Sequence, residues 1–128
     1  MSMTPDRSQR VKELEHAFAI GFPSQSTVVV QPDDASGRLT IHVSWVRVPS
    51  DEDAREWRCT VDMRFDADVI ERYALLDEPD RLRVRTQLCD RARRGVDEHK
   101  PRIEDTVIEC NVALDVTRVE FDAALRAP

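Results

Sequence analysis

Apolar residues recur along this chain with two different periods, and the switches between them outline its elements. Val11, Leu14, Phe18 and Phe22 are three or four residues apart, which is one stripe of an α-helix. Thr4 before Pro5 reads as that helix's capped start, and Gly21 with Pro23 as its end. The β-branched run from Thr27 to Val30 predicts a strand, and the turn-rich segment 32–37 leads into the next. From Leu39 onward the period is two: Leu39, Ile41, Val43 and Trp45 alternate with Thr40, His42 and Ser44. After an acidic connection at 49–55 the alternation resumes, with Trp57, Cys59, Val61, Met63 and Phe65 on one face and Arg58, Thr60, Asp62 and Arg64 on the other. Matching apolar faces in a hairpin requires an even register; pairing Val48 with Glu56 sets Trp45 across from Cys59, Val43 across from Val61 and Ile41 across from Met63, and a shift by two residues keeps the same faces together.

Asp66 is placed to cap a helix through Val69, Ile70, Tyr73 and Leu76, and the Asp77-Glu78-Pro79 step opens a second helix running to Glu98. Ile108, Cys110, Val112, Leu114 and Val116 then alternate with polar neighbours, predicting a fourth half-buried strand. Thr117 to Glu120 has the form of a capping box, with Val116 and Phe121 in the staple positions, so a short helix closes the chain. The expected fold is one α+β domain over residues 1–128, in the order αβββααβα. It is a two-layer sandwich whose antiparallel sheet of about four strands carries helices on one face and leaves the other open.

Charge adds one feature to this picture. The net charge is −6, yet residues 81–102 carry 8 basic and 3 acidic side chains. On the long helix, Arg83, Arg91 and Arg94 project outward as a candidate partner-binding surface, while Arg81 and Arg85 turn toward the apolar side. Three outward cations on an acidic protein are too few for a phosphate backbone, so no nucleic-acid partner is expected. The predicted open sheet face also has no aromatic residue on which bases could stack.

The polar residues offer little catalytic chemistry. His42, Asp62 and Ser44 have the composition of a hydrolase triad, and the expected register sets His42 opposite Asp62. Residues two apart on a flat strand are roughly 7 Å apart, however, and such a triad needs a water-excluded pocket with an oxyanion hole. Cys59, Cys89 and Cys110 all fall at apolar positions and form no Cys-x-x-Cys pair, which predicts buried, reduced thiols. His16, His42 and His99 have no ligand spacing to them. With only Gly21, Gly37 and Gly95, no Gly-rich phosphate loop exists. No catalytic residue, metal ligand or cofactor is therefore expected. No stretch reaches the roughly 20 apolar residues of a membrane span, and the N-terminus has no apolar signal core, so a cytosolic protein without membrane contact is expected. The 17 Arg against 2 Lys suggest a GC-rich bacterial source.

The runs His42-Val43-Ser44-Trp45-Val46 and Phe65-Asp66-Ala67-Asp68-Val69-Ile70-Glu71-Arg72-Tyr73 resemble a small bacterial family of proteins of unknown function. In size, acidity and element order the chain is also similar to type III secretion chaperones, small homodimers that bind an unfolded effector segment. The helix from Glu78 to Glu98 departs from their pattern. These readings favour a protein-binding or regulatory module, chaperone-like or adaptor, acting on a protein partner or as a homodimer. The alternatives are an enzyme of unrecognised type and a nucleic-acid-binding protein.

Overall fold

The computed structural model describes residues 5–23, 25–49 and 54–127. Its elements run α1 (Pro5–Gly21), β1 (Thr27–Asp33), β2 (Arg38–Arg47), β3 (Glu56–Phe65), α2 (Ala67–Leu75), α3 (Glu78–Glu98), β4 (Arg102–Glu104), β5 (Val107–Val116) and α4 (Arg118–Arg126). Thr4, the expected cap of α1, lies outside the described residues.

The alternating positions do what their period requires. Leu39, Ile41, Val43, Cys59, Val61, Met63 and Phe65 are buried under the helices. The β2–β3 register is even, as matching faces requires, and of the even registers it is the one with Trp45 opposite Cys59, Val43 opposite Val61 and His42 opposite Asp62. The helical stripe Val11, Leu14, Phe18 and Phe22 joins the same core, as do Val69, Ile70 and Tyr73 of α2 and Val84, Leu88, Cys89 and Ala92 of α3.

The sheet corrects the expected fold in two respects. It has five strands in the order β1-β2-β3-β5-β4, and it is mixed, because β3 and β5 run parallel. The parallel pair follows from connectivity: the chain leaves β3, crosses the sheet through α2 and α3, and returns beside β3 in the same direction. The additional strand, β4, is three residues long and too short for a periodic signal. It folds back on β5 through a turn in which Asp105 has φ +48°.

Two expected caps also differ. Asp66 stands at the N-cap of α2 without a side-chain capping bond and instead faces Arg38 at 3.7 Å. Thr117 caps α4 without a side-chain bond, and Glu120, its expected capping-box partner, pairs with Arg91 of α3. At Asp77 the side chain does cap, accepting from the Asp80 N–H at 3.2 Å.

The β1–β2 connection depends on one glycine. Gly37 has φ +73°, donates its N–H to Asp33 O at 2.8 Å, and would bring a Cβ to 3.0 Å from Ala67 Cβ. Gly37→Ala is expected to lower stability by about 1–2 kcal/mol, from left-handed strain and that contact. A shift of the urea midpoint at unchanged slope would measure it, and an unshifted midpoint would contradict it.

Candidate functional site, a tryptophan-walled cleft

The helices do not cover the inner sheet face evenly. α2 and α4 gather at the end of the sheet that holds Leu39, Phe65 and Val116, while the opposite end faces, among the described residues, the segment after α1 and the last turn of α3. Gly95 lets α3 lie close to β5 here, since a Cβ would stand 3.2 Å from Val112 Cγ1. Beyond that contact the two layers part and leave a cleft of about 580 Å³.

Two rows of the sheet form its floor. Trp45, Cys59 and Cys110 are cross-strand neighbours in one row, and Arg47 and Trp57 in the next. Val96, Asp97, His99 and Pro101 wall it from the end of α3, and Pro23 and Gln25 from the α1–β1 connection. Trp45 rests on Phe22, ring centroids 5.3 Å apart, and the Arg47 guanidinium lies over the Trp57 ring at 4.8 Å. Both tryptophans are only partly buried, and Val48 at the mouth is 70% exposed.

The surroundings of both thiols on this floor favour the protonated form. Burial, with Cys110 alongside, pushes the Cys59 thiol up to about 11, and burial raises Cys110 as well. A raised thiol stays protonated at neutral pH and acts as a small apolar group. Cys89, raised to about 11 by burial, lies away from the cleft beneath α1, donating to Ala17 O at 3.7 Å. All three cysteines are buried and free.

A second constellation is polar. The Glu13 carboxylate on α1 accepts from Tyr73 Oη of α2, and from Arg81 Nε at 3.1 Å and Arg85 Nη1 at 2.6 Å on α3. Arg81 also donates to Leu76 O at 2.5 Å and Glu78 Oε2 at 2.6 Å. Burial works to raise the Glu13 carboxyl, but the Tyr73 hydrogen bond and the Arg85 and Arg81 charges outweigh it and hold the carboxyl below its usual range. Burial likewise raises the Tyr73 phenol. The network occupies the joint of three helices, with one Glu13 carboxylate answering donors from α2 and α3, which makes it a clamp.

His42 and Asp62 bond across β2 and β3 on the open face, each about one-third exposed, with Ser44 two residues along the strand. This is a cross-strand pair on a broad face, without the enclosed setting of a nucleophile. Arg83 donates to Leu125 O at 3.3 Å and lies 3.6 Å from Asp80, and Arg91 pairs with Glu120. Both thus engage the chain's own groups, and Arg94 is exposed nearby. Arg81 and Arg85 turn inward as expected. Among the described residues no group of three or more His, Cys, Asp or Glu side chains is placed to hold a metal ion.

Sequence reasoning placed both tryptophans on the inner face but missed the cleft. The available signal was Arg47: the β2–β3 register sets it directly across from Trp57, a charge on the core face at the end of an apolar stripe.

No described helix is long and apolar enough to cross a membrane. No curated protein and no solved structure matches the chain. A family model does match, over residues 11–115, from the apolar stripe of α1 through nearly all of β5, and the chain belongs to that family, DUF3022, described as proteins of unknown function.

Proposed function

We propose that this protein is a binding module whose site is the Trp45–Trp57 cleft and whose ligand is a small molecule with an apolar body. The observation that carries this reading is a cleft of about 580 Å³ walled by both of the chain's tryptophans. That volume falls among small-molecule sites of roughly 300–1,000 Å³, and a mostly apolar lining with a few polar groups at the rim is their usual chemistry. The protonated thiols support binding over covalent catalysis. They also fit a reducing compartment such as the cytoplasm.

Uncharged N-phenyl-1-naphthylamine tests the reading. Saturable binding with a Kd below about 100 µM is expected, with energy transfer from tryptophan, and Val48→Asp at the mouth should weaken it several-fold. Ile20→Asp, in the separate groove between α1 and α3, should leave it unchanged. Absence of saturable binding, or loss through Ile20→Asp alone, would contradict the proposal.

Self-association is a second reading, supported by the edge strand β1. Thr27 to Gln31 is an uncharged, largely β-branched run, whereas β4 at the other edge has three residues and two charges. Pro32 and Asp33 guard only the far end of β1, and an unguarded stretch of edge pairs with other strands. Sedimentation velocity should detect a concentration-dependent dimer that Val29→Lys removes, and a monomer at millimolar concentration would exclude it.

A further inference from the structure

The last turn of α3 reverses the usual electrostatics of a helix end. A helix C-terminus carries partial negative charge and favours Lys or Arg nearby. α3 is 21 residues long with no basic residue in its last turn, where Asp97 and Glu98 stand instead. The cap N–H of His99 answers only the Val96 carbonyl at that end, at 3.3 Å. Acids at a helix C-terminus cost stability, and such local conflicts concentrate at functional sites. Here the conflict stands on a cleft wall, since Val96, Asp97 and His99 all line it.

The floor opposite is suited to positive charge. An indole face attracts a cation placed within about 6 Å. The Trp57 face already receives one, the Arg47 guanidinium at 4.8 Å. The remaining floor, Trp45 with the protonated Cys59 and Cys110, is neutral and polarisable. A net charge of −6 favours approach of cations over anions at long range.

Resting on the cleft as a ligand site, we infer that its ligand class is an organic cation, an ammonium or guanidinium group on an apolar or aromatic body. The body lies on the floor between Trp45 and Trp57. The charge faces Asp97 and the carboxyl end of α3, sharing the indole surface with the Arg47 guanidinium or displacing it. Arg47 and His99 are the basic groups of the lining, and Arg47 is already engaged with Trp57. An anion would meet Asp97 and the negative helix end.

Three probes of nearly one shape separate charge from size: benzyltrimethylammonium, its neutral isostere neopentylbenzene, and phenylmethanesulfonate, each titrated against tryptophan fluorescence. The cation is expected to bind at least about tenfold more tightly than the other two. Asp97→Asn should reduce that preference several-fold and leave neopentylbenzene unaffected. Asp97 is exposed, so the variant is expected to fold, and its circular dichroism verifies this. Equal or tighter binding of the neutral or anionic probe, or a preference unchanged by Asp97→Asn, overturns the inference while ligand binding stands. If N-phenyl-1-naphthylamine binds and benzyltrimethylammonium does not, the inference again falls alone. Failure of all four molecules removes the ligand site itself.

Discussion

Glu13→Ala should destabilise the fold by about 2–4 kcal/mol, the largest effect expected of a polar substitution here. The carboxylate joins three helices: one oxygen accepts from Tyr73, Arg81 and Arg85, and the other from Arg10 at 3.1 Å. Tyr73 is 1% exposed and Arg81 8%, so truncation leaves a phenol and a guanidinium short of an acceptor where water cannot fully replace it. Glu13→Gln keeps one acceptor oxygen and should cost less. The pH dependence has a definite sign. A carboxyl held below its unfolded value of 4.5 contributes stability that is fully present above that value. The contribution is lost as pH falls through the lower folded value. Urea denaturation at pH 7 and pH 3 should therefore show a steeper acid loss in the wild type than in Glu13→Gln. A loss under about 0.5 kcal/mol in Glu13→Ala at pH 7 would mean that the clamp contributes nothing beyond packing.

Alkaline solution should weaken the fold through the opposite sign. Burial raises Cys59 and Cys89 from 9.0 to about 11. A raised thiol contributes stability that is fully present below pH 9 and is lost as pH rises through the folded value, because the unfolded chain ionises first. At 1.36 kcal/mol per unit, the Cys89 thiol removes roughly 2–3 kcal/mol by pH 11, and Cys59 adds to the fall in the same direction. The buried Tyr73 phenol, also raised, steepens the decline at the top of this range. Stability measured from pH 8 to pH 11 should fall steeply in the wild type and less steeply in Cys89→Ala, whose midpoint at pH 8 is lower because of the small cavity. An alkaline slope identical in the two proteins would show that Cys89 already ionises in the native state.

The strands were legible because a half-buried strand must alternate. An even hairpin register keeps both apolar faces on one side, and the one adopted brings Ile41, Val43 and Trp45 level with Met63, Val61 and Cys59. The inward turn of Arg81 and Arg85 was legible from the helical projection, although their acceptor on α1 was not. The direction of β5 was not legible either. Val107–Val116 alternates as an antiparallel strand would, and only the length of the α2–α3 crossover distinguishes the two cases. β4 escaped notice because three residues carry no period, and Thr117 with Glu120 misled because Arg91, distant in sequence, competes for the carboxylate. The cleft depends on where α3 ends relative to the Trp45 and Trp57 rows, a matter of tertiary geometry that no local pattern encodes.

Ligand binding in the cleft is read from the two indole N–H resonances in a ¹H–¹⁵N spectrum. The chain has two tryptophans and both wall the cleft, so each resonance reports on it. Titration with N-phenyl-1-naphthylamine should shift both indole signals along one saturation curve. The backbone amides of Glu13, Tyr73 and Arg81, at the helical clamp, should stay in place. Unmoved indole signals, with shifts at the α1–α3 groove around Ile20 and Leu82 instead, would contradict the account.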